Sequence, residues 1–136
     1  MPKRALMLSA IAILLPAQAL AAVCFTPSPF VADVLVIEVT GSAGGFFSLA
    51  GEEVGACGPG TSMPLHGSAH LKADGKAHFG VTVLSSSGNP PCVPGIYQGV
   101  VDPPAYTSGS GFHQNLATGV TTPVTFIPAA CPGLPQ

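Results

Sequence analysis

The sequence predicts an all-β domain: a small antiparallel up-and-down barrel or sandwich of about seven strands, stapled by disulfides. Three observations predict it. Seventeen glycines and fifteen prolines in 136 residues leave little room for long helices, because both residue types cost helix stability. Short β-branched or alternating segments recur along the chain, separated by turn formers, with no βαβ alternation. Four cysteines, Cys24, Cys57, Cys92 and Cys131, are spread through the chain without a C-x-x-C spacing. In an exported chain that even count reads as two disulfides.

Export is itself legible. Lys3 and Arg4 precede an uncharged apolar run at 5–15, Pro16 breaks it, and small residues follow to Ala22. This is the three-part layout of a secretory signal. The run is shorter than the roughly 20 residues that span a bilayer, so no transmembrane segment is expected once the signal is removed. Val23 stands where a lipoprotein signal needs a small residue, which argues against acylation of Cys24. The expected organisation is a signal peptide at 1–22 and a single β-domain at 23–136. The implied location is extracytoplasmic, periplasmic or secreted.

The strands follow in order. Residues 31–40 (VADVLVIEVT) are β-branched and apolar on both faces except at Asp33 and Glu38, as in a strand covered on both sides. The stretch 41–45 is a turn and 46–50 (FFSLA) the returning strand. The clearest local signal is 69–83, where Leu71, Ala77, Phe79, Val81 and Val83 alternate around Asp74-Gly75. Face parity selects a three-residue loop, Ala73-Asp74-Gly75, with Gly75 left-handed. That register sets Leu71 opposite Ala77 and Ala69 opposite Phe79, keeping one face apolar. The stretch 85–95 is a loop, 96–101 a short strand and 102–111 a second loop. The last two strands are expected at 112–116 and 120–127. Cys57 and Cys92 flank the base of the 69–83 hairpin and are expected to pair; Cys24 and Cys131, near the two ends, form the second bridge.

Charge narrows the function classes. Beyond residue 22 the only cations are Lys72 and Lys76, against Asp33, Glu38, Glu52, Glu53, Asp74 and Asp102. No basic patch exists to neutralise phosphates, which argues against nucleic acid and against anionic lipid surfaces. The Glu52-Glu53 doublet reads as a solvated loop. No nucleophile elbow occurs, the cysteines are assigned to disulfides, and the six acids sit mostly alone in turns. Gly109-Ser110-Gly111 reads as a flexible loop. No enzyme chemistry and no cofactor is expected. Strands without sustained alternation or aromatic girdles argue against an outer-membrane barrel.

The remaining site candidates are histidines. His66, His70 and His78 cluster at the hairpin, with His113 in a later strand, and Met63 adds a thioether. In the chosen register His70 and His78 are cross-strand neighbours, close enough for two imidazoles to share copper or zinc. The plainer reading is a polar strand face, shared with Lys72 and Lys76. The expected function is therefore binding without catalysis. First comes an envelope or secreted protein-interaction or structural module, because so few charges imply exposed apolar area. A carrier of a small apolar ligand with an interior cavity of several hundred Å³ comes second. A periplasmic metal binder through His66, His70 and His78 comes third.

Overall fold

The structure, a computed structural model, describes residues 22–84, 94–107 and 109–132. Eight strands are present: β1 (Val23–Ser28), β2 (Val34–Ala43), β3 (Phe46–Val54), β4 (Ser62–Leu71), β5 (Ala77–Val83), β6 (Gly95–Val101), β7 (Gly109–Asn115) and β8 (Thr121–Pro128). Each pairs antiparallel with the next, and β8 pairs back to β1. The fold is a closed up-and-down barrel, which leaves no free sheet edge.

Strand alternation decides what fills it. On β5, Ala77, Phe79, Val81 and Val83 point inward while His78 and Thr82 point out. The same parity on β2, β3 and β4 turns Leu35, Ile37, Leu49, Met63 and Leu65 into the lumen. Outside lie Ser48, His66, Ser68, Gln98 and Gln114, all exposed. The lumen is therefore apolar, while the outer face is mixed, with Phe46, Phe112 and Ile127 exposed among its polar residues.

The 69–83 hairpin adopts the expected register: Leu71 faces Ala77, His70 faces His78 and Ala69 faces Phe79. The Gly75 amide donates to Lys72 O at 3.0 Å and the Lys72 amide to Lys76 O at 2.8 Å, closing the three-residue loop. Gly75 has φ of 85°, which a residue with a Cβ adopts only at a cost. Nothing lies within 4 Å of a Cβ built there, so the cost of substitution is conformational alone. Gly75→Ala should destabilise the fold by about 1 kcal/mol in urea denaturation; an unchanged midpoint would contradict the turn assignment.

Five readings need correction. The eighth strand, β1, was hidden because VCFTPS carries Pro27 and no clear alternation. Its pairing is split, residues 23–25 with β2 and residues 25–28 with β8, so Pro27 falls where β2 pairing has ended and no amide is needed on that side. The β2 strand is displaced, beginning at Val34 and running to Ala43 through a register shift between Val39 and Gly41. The turn shrinks to Gly44-Gly45, both at positive φ, as tight two-residue hairpins demand. Gly109-Ser110-Gly111 is part of β7, not a loop. Glycine recurs on that wall because there is no room for a Cβ: one on Gly99 would lie 2.5 Å from Ser110 O and 2.6 Å from Phe126 Cε2, and one on Gly111 2.6 Å from Gly99 Cα. Finally, Glu52-Glu53 lies in β3, with Glu52 exposed and Glu53 buried.

Cys24 and Cys131 form a disulfide with Cα atoms 5.3 Å apart, joining β1 to the segment after β8. Cys57 is also disulfide-bonded; its expected partner, Cys92, lies outside the described residues, as do 85–93 of the expected 85–95 loop and 1–21 of the expected signal peptide.

Candidate functional site

The two ends of the barrel differ in chemistry. At one end the β2–β3 and β4–β5 turns and the 102–107 segment surround an apolar cup of about 500 Å³. Its walls come from inward positions of six strands, among them Phe25, Ile37, Phe47, Leu49, Phe79 and Val101. Ala69 and Ala77 stand between larger residues: Ala69 is paired with Phe47 on one side and Phe79 on the other. Those small side chains leave the space that a third and fourth large residue would fill. Ser42 and Tyr106 bring the side-chain hydroxyls of the lining.

Tyr106 closes part of the mouth. Its amide donates to Asp102 O at 2.9 Å, and the Thr107 hydroxyl donates to Asp102 Oδ2 at 2.7 Å, which folds the segment inward. The ring meets Phe25 edge-on, centroids 5.8 Å apart. Tyr106 has φ of 53°, a left-handed conformation that is rare for a bulky residue and concentrates at ligand-holding sites. Burial pushes its phenol pKa up, so the ring stays neutral.

Below the cup the lumen is solid. Phe126 contacts Phe79 at 5.1 Å, Phe25 at 6.2 Å and Tyr97 at 6.3 Å between ring centroids, each near edge-to-face, the arrangement that ring quadrupoles favour. Beneath that layer lies a buried acid group. The Tyr97 hydroxyl donates to Glu53 Oε2 at 2.6 Å, and the Asp33 carboxyl lies near enough to act on the Glu53 charge. Two neighbouring carboxyls resist ionising together. Burial pushes Glu53 up to about 7, Tyr97 opposes this by its hydrogen bond, and the Asp33 charge adds to the rise. Burial raises Asp33 as well. His113 lies opposite Tyr97 with rings 4.7 Å apart and Phe30 covering it at 5.1 Å; burial lowers its pKa.

The histidines proposed as metal ligands lie on the outer wall. His70 and His78 are direct neighbours, but His70 stacks on Phe46 with centroids 4.0 Å apart and planes 9° from parallel. His66 is four residues from His70 on the same strand, roughly 13 Å at about 3.3 Å per residue. Met63 is buried in the lumen, on the opposite face from all three. Among the described residues no group of three or more His, Cys, Asp or Glu side chains comes together as a metal site.

Sequence reasoning offered an interior cavity as its second reading but named none of the cup's residues, and it missed the acid group. Leu49, Gly51 and Glu53 share one strand parity, so extending the returning strand past residue 50 would have turned Glu53 inward. The cup had no linear signal, since its residues come from separate strands. Among the described residues no helix is long and apolar enough to cross a membrane. Compared with known proteins, the chain matches no family model, no curated protein sequence and no solved structure.

Proposed function

We propose that this domain is an extracytoplasmic binder or carrier of one small apolar molecule, held in the mouth of the barrel and not chemically altered there. The observation that carries the reading is the apolar cup of about 500 Å³, within the range of small-molecule sites. Eight strands make a barrel just wide enough to hold one small ligand. The signal-like residues 1–22 and the Cys24–Cys131 bridge support an oxidising compartment outside the cytoplasm. Docking of a protein partner ranks behind, because the exposed large apolar residues, such as Val31, Phe46, Phe112 and Val120, are distributed over both ends and the wall.

The test is uptake of the neutral fluorophore N-phenyl-1-naphthylamine by the purified oxidised protein. Saturable binding with one site per chain is expected. Ala69→Phe, which fills the cup, should weaken it at least about tenfold, whereas Ser68→Phe on the outer wall should leave it unchanged. Absence of saturable uptake, or equal binding by Ala69→Phe at unchanged circular dichroism, would overturn the proposal.

A further inference from the structure

Resting on the reading of the cup as a ligand site, we infer that its ligand is uncharged and compact: a neutral, ring-bearing apolar molecule, not a fatty acid or other anionic amphiphile with an extended chain. Charge is the first argument. Among the described residues no Lys, Arg, His, Asp or Glu lines the cup. A carboxylate or phosphate placed there would lose its hydration with no side-chain counterion, which is costly.

The side chains of the rim do not supply that counterion. Lys72 and Lys76, the only cations beyond residue 22, flank the β4–β5 turn. They share strand parity with His70 and His78, the outward face, while Leu71 and Ala77 turn into the cup. Asp74 lies between them, its Oδ1 accepting the Lys76 amide at 2.9 Å. Lys76 borders an outer groove together with Asp74 and Asp102, so two acids balance two lysines at this lip. An incoming anion meets no net attraction from the side chains of this lip.

Depth is the second argument. Strands β3, β4 and β5 each contribute only two inward positions, Phe47 and Leu49, Ala69 and Leu71, Ala77 and Phe79. Inward positions are two residues apart, about 6.6 Å at about 3.3 Å per residue. The next layer down, Leu35, Val81, Tyr97 and Phe126, is at most 1% exposed and leaves no channel for a long chain. The space is wide and shallow, with the rings of Phe25, Phe47, Phe79 and Tyr106 around it. Aromatic walls favour a flat, ring-bearing ligand that they can meet by face or edge.

The experiment is displacement of N-phenyl-1-naphthylamine at pH 7.5 by 2-naphthol, 2-naphthoate, dodecanol and dodecanoate. The first two share a ring system and differ in charge; the last two do the same for an extended chain. 2-Naphthol should compete at least about tenfold more tightly than either carboxylate, and dodecanol no more tightly than 2-naphthol. The double substitution Lys72→Ala, Lys76→Ala should leave the naphthoate affinity unchanged. A carboxylate that competes as well as 2-naphthol, a dodecanol that competes better, or a loss of naphthoate affinity in the lysine variant would overturn the inference. In each of those cases probe uptake and its loss in Ala69→Phe would still stand, so the cup reading would survive. Failure of the probe itself to bind would sink both.

Discussion

Replacing Cys24 and Cys131 together by alanine should lower folding stability by about 4 kcal/mol in urea denaturation. The bridge spans 107 residues of sequence, so cutting it returns much conformational freedom to the unfolded chain. The full loop-closure value for such a span is about 4.7 kcal/mol. The expected loss is somewhat less, because Cys57 is itself disulfide-bonded and that second cross-link already restricts the unfolded chain. The native state is also most exposed at this seam. β1 is held by three paired positions on β2 and four on β8, and the Ala129 amide donates to Cys24 O at 2.9 Å just beside the bridge. Alanine is the appropriate replacement, since Cys24 is only 4% exposed and a serine hydroxyl there would need a partner. A loss below about 1 kcal/mol would mean that strand pairing alone keeps the barrel closed.

A second large effect is expected from pH. Glu53 is 4% exposed and its pKa is pushed from 4.5 up to about 7, first by burial. In the folded state it therefore keeps its proton across a range where the unfolded chain has lost it. Its contribution to stability is complete below about pH 4.5 and is lost as pH rises through about 7. At about 1.4 kcal/mol for each tenfold change in proton affinity, the loss is on the order of 3 kcal/mol. His113 works the other way: its lowered pKa makes acid below 6.5 destabilising. The two are separated by measuring wild type and Glu53→Gln at each pH. Glutamine stays neutral and can accept from Tyr97. The variant should match wild type near pH 4.5 and exceed it by about 3 kcal/mol above pH 7.5. A difference that stays flat between those limits would show that Glu53 does not hold its proton in the fold.

The acid group and the cup show where sequence reasoning stopped. Glu52 and Glu53 are adjacent and chemically alike, yet one faces water and the other lies between Leu35 on β2 and Met63 on β4. Period-two alternation separates them only once β3 is known to extend past Ala50. The hairpin at 69–83 needed no such knowledge. Its apolar positions alternate on both arms, and a single Asp-Gly turn joins them, so one register satisfied burial and turn geometry together. Glycines misled in the opposite direction. Gly109 and Gly111 resemble linker residues in the sequence, but they occupy strand positions where a Cβ would press on Val101 Cγ1 at 2.9 Å and on Gly99 Cα at 2.6 Å respectively.

By itself, the sequence determined the all-β class, the hairpin register with its left-handed Gly75, and the separation of apolar from polar faces on the strands with clear alternation. These follow from nearest-neighbour sterics and from burial that repeats every second residue, both of which act over a few positions. The sequence also pointed to the Cys24–Cys131 bridge, from the place of those cysteines near the two ends, and the geometry of the bridge bears it out. Only the tertiary structure decided for a closed barrel over a sandwich and made β1 the eighth strand. It also decided that Ala69, Phe47, Phe79 and Phe25, which lie far apart in the chain, surround one space. Closure is a condition on all eight strands together, and no local pattern encodes it.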